Sequence, residues 1–112
     1  LETRAGAEEN MDILNAQAAE KLVADEFLAP SNHDFVVQPD KTVPKPFGWV
    51  IFYTTRAFLQ TRDRRAMVPG AGPVAVMRNG EIVPLATSLP PALAIEKFES
   101  EWLKAEEHLR NR

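Results

Sequence analysis

An aromatic and β-branched run in the middle of the chain constrains its fold more than any other feature. Between residues 48 and 54 nearly every side chain is β-branched or aromatic, with large rings at Trp49, Phe52 and Tyr53. Such residues favour extended backbone, and a run without polar alternation is typical of a strand covered on both faces for at least part of its length. We therefore predict that residues 46–53 form the central buried strand of a small sheet.

A helix is predicted before this run, over residues 11–28. The segment contains neither Pro nor Gly, and its apolar residues recur at a spacing of four, which places them on one face of a helix. Asn10 or Asp12 is a candidate for the N-terminal cap, because both side chains accept hydrogen bonds from free backbone amides. Pro30 prevents the helix from continuing.

The connection between this helix and the central strand is predicted to hold one short edge strand. That strand begins at residues 35–37, where the sequence reads FVV. The prolines at 39, 44 and 46 each lack a backbone donor, so the rest of the segment is predicted to be irregular. Beyond the central strand, residues 55–61 are long enough only for a single helical turn.

Asn79 followed by Gly80 is the clearest local signal in the sequence. Apolar runs flank this pair at residues 74–77 and 82–85. An Asn-Gly pair suits a type I′ turn, in which both central residues have positive φ. We predict a β-hairpin here, closed by that turn.

A second helix is predicted to follow the hairpin. Ser88 can cap it, and Pro90 or Pro91 can occupy its first turn, where no amide hydrogen is needed. Alternating spacings of three and four form one apolar seam, with glutamates over much of the remaining surface. We expect residues 95–102 to pack on the sheet and the last turns to project into solvent. The seam comprises Ile95, Phe98, Trp102, Ala105 and Leu109.

These elements predict an α+β fold, because consecutive strands do not alternate with helices. The expected architecture is a small antiparallel sheet of about four strands, with an N-terminal and a C-terminal helix packed on one of its faces. At 112 residues the chain fits one domain with one core. We assign residues 11–112 to that domain and regard residues 1–10 as a flexible leader or a remnant of cloning, since they are polar and precede Met11.

Composition excludes several functional classes. The net charge of −3 removes the broad attraction to phosphate backbones, so nucleic acid is not expected as a partner. No apolar run approaches the ~20 residues of a membrane-spanning helix, so no membrane association is expected. There are no cysteines, hence no disulfides or thiolate metal sites, and the cytoplasm is the expected compartment.

No catalytic or metal-binding constellation is present in the sequence. His33 and His108 have no carboxylate at metal-ligand spacing, and solvated surface histidines are the simpler interpretation. The serines at 31, 88 and 100 lie at predicted boundaries, where serine usually caps backbone amides. Trp49 and Trp102 are interpreted as core residues in preference to a ligand pocket. We therefore expect no enzyme activity, no cofactor and no metal.

A cluster of charges after the short helical turn is the one candidate contact site. Arg62, Arg64 and Arg65 surround Asp63 and precede a loop rich in Gly and Pro. Arginine is enriched at protein interfaces, so these four residues are the candidate partner-binding site. A solvated loop without a partner is the alternative interpretation.

Three segments of the chain read PFGWVIFYTTRAFLQTRD, then VPGAGPVAVMRNGEIVPLATSLPP, then AIEKFESEW. Together they resemble the immunity protein 35 family, also known as the YrhB domain. The resemblance rests on the aromatic strand, the Gly-rich loop ending in Pro73, the hairpin and the polar turn before the final helix.

The resemblance implies a small cytoplasmic bacterial protein that neutralises a cognate toxin by direct binding, without catalysis. It also implies an alternative, since the YrhB branch is associated with holdase-type chaperone protection of other proteins. Exposed apolar surface for such a role is expected on the distal seam at Ala105 and Leu109. The same seam is a candidate for pairing with its copy in a homodimer.

Overall fold

The computed structural model describes residues 12, 13 and 15–110, and shows an α+β fold with two antiparallel sheets. The helices are α1 (Ala16–Leu22), a π-helix that continues it (Val23–Leu28), α2 (Arg56–Thr61) and α3 (Pro91–Arg110), with short 3-10 helices at Pro39–Lys41 and Arg64–Ala66. The strands are β1 (Phe35–Val37), β2 (Val43–Lys45), β3 (Gly48–Ile51), β4 (Tyr53–Thr55), β5 (Val74–Met77) and β6 (Ile82–Pro84).

The first helix begins later than its sequence pattern predicts. Asn15 caps it, because its side-chain oxygen accepts a hydrogen bond from the amide of Ala18 at 2.8 Å. Asp12 therefore precedes the helix and does not cap it, while the other candidate, Asn10, lies outside the described residues. The helix widens into a π-helix, in which Ala29 donates to the carbonyl of Ala24, and Pro30 follows its end as predicted.

The predicted central strand is confirmed over residues 48–51, but it does not run without a break from residue 46 to residue 53. All four residues of β3 are buried, and β3 lies inside the sheet of order β2-β3-β5-β6. The run breaks at Phe52, however, and β4 pairs with β1 in a separate two-stranded sheet. The predicted edge strand at 35–37 is thus real but belongs to that second sheet. Residues 46 and 47 form a turn.

The strand β2 was not expected, because Pro44 lies within it. It pairs with β3 in the register Val43↔Val50 and Lys45↔Gly48. Both flanking residues retain their amides, and an edge strand tolerates the missing donor of Pro44 between them. The segment before β3 is therefore more regular than its prolines indicate.

A close approach between β3 and β5 requires Gly48. Its φ is +148°, and a Cβ at this position would collide with the carbonyl oxygen of Val76 on β5. The glycine therefore permits the central pair of strands to form its full register.

The two main helices pack on opposite faces of the four-stranded sheet, so the expectation that both lie on one face is wrong. Trp49 and Ile51 point towards α1 and the π-helix, together with Val74 and Val76. Val50 and Ala75 instead join a second core cluster with α3. Alternate residues of a strand face opposite sides of a sheet, so a strand buried throughout requires a cover on each side.

The hairpin is confirmed, but its predicted turn type is wrong. Gly80 has φ +95°, whereas Asn79 does not have positive φ. The amide of Gly80 donates to the carbonyl of Met77, and the Asn79 side chain accepts from the amide of Glu81 at 3.0 Å. These bonds fit a three-residue loop in which only the glycine is left-handed.

The last helix packs as its seam predicts. It begins at Pro91, and Phe98 and Trp102 lie edge-on to the buried Phe47, at centroid distances of 5.0 and 6.1 Å. Further along, Leu103 and Leu109 are exposed. The distal turns of α3 therefore extend beyond the sheet into solvent, as expected.

Candidate protein-binding site

The predicted contact cluster forms a loop, here called the arginine loop (residues 62–65), that leaves the C-terminus of α2. Thr55, at the end of β4, starts α2 by accepting a hydrogen bond from the amide of Phe58 at 3.1 Å. The Thr55 hydroxyl also donates to the carbonyl of Ala66 at 2.7 Å. One buried threonine thus fixes both ends of the segment that carries the loop.

Arg62 gives the loop its sharp exit from α2. Its φ of +60° is left-handed, and its amide donates to the carbonyl of Phe58 at 2.7 Å. A left-handed conformation costs a non-glycine residue roughly 1–2 kcal/mol. The guanidinium lies 5.5 Å from the centroid of the Phe58 ring, which is a compensating cation–π contact.

Asp63 and Arg65 are joined inside the loop. The Asp63 carboxylate accepts from the backbone amide of Arg65 at 2.9 Å and from its guanidinium Nη2 at 2.9 Å. The side-chain hydrogen bond from Arg65 lowers the pKa of Asp63, and the same bond raises the pKa of Arg65. The pair is exposed, so it orders the loop more than it stabilises the fold.

Arg64 differs from its neighbours. Its side chain is exposed and makes no hydrogen bond or ion pair with any residue in the described part of the chain. The loop therefore brings together all four predicted residues, but the side chain of Arg62 already contacts Phe58 of α2, and that of Arg65 already pairs with Asp63. A role in binding stays a prediction.

An apolar surface that the sequence did not reveal adjoins the arginine loop. Phe58 and Met67 line a cavity of about 310 Å³ together with Phe52, Tyr53 and Val68. Met67 is 48% exposed although it is a large apolar residue. No local pattern marks this surface, because residues distant in sequence form it.

A larger groove of about 630 Å³ lies between the first helix and β1. Two ion pairs flank it: Lys21 with Asp25 at 2.6 Å, and Arg56 with Asp34 at 3.0 Å. The hydrogen bond and charge of Asp25 raise the pKa of Lys21. The groove is lined by Glu20, Lys21, Ala24, Leu28, His33, Asp34, Phe35, Val36, Val37, Pro39 and Arg56, among others.

An aromatic cluster lies beside both cavities, and Phe35 lines each of them. Phe27 and Phe35 both meet the ring of Tyr53 edge-on, at centroid distances of 5.9 and 5.0 Å. Burial raises the pKa of Tyr53, so its phenol stays protonated near neutral pH. The cluster therefore presents packed apolar surface and no activated nucleophile.

The remaining predicted residues occupy ordinary structural positions. His33 and His108 are exposed, and Ser31 accepts a hydrogen bond from the amide of His33 at 3.1 Å. Trp49 is buried in the core, and Trp102 is half-buried against Phe47. Among residues 12, 13 and 15–110, no group of three His, Cys, Asp or Glu side chains is placed to hold a metal ion.

The described helices also include none that is both long enough and apolar enough to cross a membrane.

A protein-family model matches most of the chain. The family model described as immunity protein 35 matches residues 15–105, which include every strand, the arginine loop and the sheet-packed part of α3. No curated protein and no solved structure matches the chain.

Proposed function

The chain belongs to the immunity protein 35 family, and from this membership we propose that it neutralises a cognate bacterial toxin by binding it directly, without catalysis. The single observation that carries the proposal is the family match, which spans residues 15–105. In this role the protein acts in the bacterial cytoplasm, as a single domain over residues 11–112.

The arginine loop and the adjacent apolar surface are the proposed contact site. Arginine, methionine and aromatic residues are enriched at protein interfaces, and Arg64, Met67 and Phe58 combine all three types in one region. The two hydrogen bonds of Thr55 hold this region in one arrangement before a partner arrives, which lowers the entropic cost of binding.

The charge distribution supports a second contact surface for a basic partner. The chain carries a net charge of −3, and exposed glutamates extend along α3. Lys97 neutralises Glu101 at 2.7 Å and thereby lowers the pKa of that carboxyl. The glutamates of this face that pair with no described residue favour encounter with a positively charged toxin.

The proposal is tested by expressing a candidate toxin from a gene next to the one for this chain, alone and together with it. We expect the toxin alone to stop growth, and co-expression to restore growth and to yield a complex of the two proteins on purification. Continued toxicity in the presence of well-expressed, folded protein would overturn the proposal.

Exposed leucines on α3 favour a second candidate function, that of a holdase chaperone. Leu93, Leu103 and Leu109 are 50%, 48% and 58% exposed, and a holdase requires such surface to hold unfolded chains. Suppression of aggregation in several unrelated heated client proteins, without any effect on the toxin, would select this alternative.

A homodimer through the distal part of the α3 seam is also proposed, because Ala105 and Leu109 lie on one face of the helix and are exposed in the described chain. Pairing of two such helices would bury both residues of each copy.

A further inference from the structure

The outer edges of the four-stranded sheet are blocked by proline. Glu81 and Leu85 flank β6 and bond to Met77 of β5 and to Pro73 just before it, so by alternation Pro84 of β6 faces outwards. In β2, Pro44 lies between the two residues that face β3 and so also points outwards. Each proline removes a donor from the exposed edge, which is a known protection against pairing with another chain.

The edge of β1 lacks this protection. The amide of Arg56 donates to the carbonyl of Asp34 at 2.9 Å, and the amide of Gln38 donates to the carbonyl of Phe52 at 2.8 Å. By the alternation of an antiparallel ladder, the backbone groups of Phe35 and Val37 then point away from β4. Outside the pairing of β1 with β4, neither Phe35 nor Val37 makes a backbone hydrogen bond to a described residue.

This open edge lines the groove beside the first helix. The groove has a volume of about 630 Å³, within the usual range of ligand pockets. β1 forms one wall, and the other wall consists of α1 and the π-helix, including Ala24 and Leu28. An extended peptide can add a strand to an exposed sheet edge through main-chain hydrogen bonds, and here the groove wall formed by the helix offers contacts for its side chains.

We propose that this groove binds an extended, uncharged segment of another polypeptide, which pairs with β1 through the N–H and C=O groups of Phe35 and Val37. Two cationic side chains, Lys21 and Arg56, and two anionic ones, Glu20 and Asp34, line the groove. Both cations are already paired, and the Glu20 carboxylate accepts a hydrogen bond from Thr42 at 2.6 Å. The groove thus offers no net charge, and its apolar lining favours apolar side chains.

A single extended segment suits this site better than a second copy of the chain. The first helix already lies beside the β1 edge. A second copy that paired through its own β1 would bring another α1 into the same space. The proposal does not depend on toxin neutralisation, because its test uses no toxin; the groove contains no residue of the arginine loop and shares only Phe35 with the cavity beside that loop.

The test selects peptides from a random library of short linear sequences displayed on phage, using the full chain as bait. We expect the selected peptides to be poor in charge and to shift the amide NMR signals around Phe35 and Val37. A control peptide with the same sequence as the best peptide, but N-methylated at alternate amides, should lose binding, because its backbone can no longer donate hydrogen bonds to β1.

Two protein variants at one position separate the backbone from the side chain. Val37→Pro removes an outward donor, whereas Val37→Ala keeps that donor and loses most of the side chain. We expect Val37→Pro to bind the peptide about fivefold or more weakly than Val37→Ala, as the loss of one neutral hydrogen bond implies.

Four outcomes would overturn the proposal: failure to select any peptide, signals that shift elsewhere, full binding of the methylated control peptide, and equal affinities of the two variants. A dimer in sedimentation that Val37→Pro dissociates would also overturn it, by showing that a second copy occupies the edge.

Discussion

At the scale of single residues, Thr55 decides how the candidate binding site is held. Its hydroxyl accepts from the Phe58 amide and donates to the Ala66 carbonyl, while Thr54 is equally buried and makes no side-chain hydrogen bond to a described residue. Thr55→Val should lower the free energy of unfolding by about 1–3 kcal/mol, because both partners lose a bond. Urea titration measures this, with Thr54→Val as the matched control. Equal effects of the two substitutions would contradict this role of Thr55.

Trp49 tests the assignment of the aromatic run to the core. It is 7% exposed, and the Arg78 guanidinium lies 5.4 Å from its ring centroid. Trp49→Ala should cost about 3–5 kcal/mol through the cavity that it leaves, and partner binding should be lost only because the fold is lost. Urea titration followed by circular dichroism measures the cost. A fully folded variant that no longer binds would instead make Trp49 part of the contact surface.

Asp63 makes the order of the arginine loop depend on pH. Because Arg65 lowers the folded-state pKa of this carboxyl, the pair stabilises the loop above the unfolded pKa of Asp63, and the effect is lost as pH falls through the folded value. An NMR titration of the carboxyl carbon should give a midpoint below that of an ordinary aspartate. In Arg65→Ala the midpoint should rise. An unchanged midpoint would mean that the two side chains do not interact in solution.

At the scale of elements, the distal turns of α3 that extend beyond the sheet determine whether the protein self-associates. The proposed pairing buries Ala105 and Leu109, so replacing both with Asp should place like charges in the interface and convert a dimer to a monomer. Sedimentation at several concentrations measures this. Glu101→Gln and Glu106→Gln, on the same helix, serve as controls that should leave the dimer intact. A strict monomer in the unmodified protein would reject the pairing.

Elements with a strong local signal were predictable from the sequence, whereas their partners were not. The hairpin follows from Asn79 and Gly80, and the seam of α3 from its spacing. The break at Phe52 has no local signal, because it reflects a change of partner strand in which Gln38 bonds to Phe52. The turn type was wrong because Met77 pairs with Glu81, which leaves three residues in the loop and requires positive φ only at Gly80.

At the scale of the whole molecule, the sheet is a central layer with a helix on each side. This arrangement was implicit in the prediction that β3 is covered on both faces, yet a single face was assigned to both helices. The arginine loop was predictable as a cluster of charges. Its apolar neighbour at Phe58 and Met67 and the groove beside β1 were not, because each joins segments that only the folded chain brings together.

The most direct test of the central claim, neutralisation by direct binding, is a calorimetric titration of the neighbouring toxin into this protein. We predict a saturable complex of fixed stoichiometry. Replacing Arg62, Arg64 and Arg65 with Ala should weaken this complex, while the free energy of unfolding of the protein should change by only about a few tenths of a kcal/mol.

A second triple variant, with Ala at Lys97, Lys104 and Arg110, removes the same charge from α3 and should bind more tightly than the arginine-loop variant. Equal weakening by both would assign the effect to net charge and move the contact site away from the arginine loop. Absence of any binding heat and of any complex, with both proteins folded, would contradict the account.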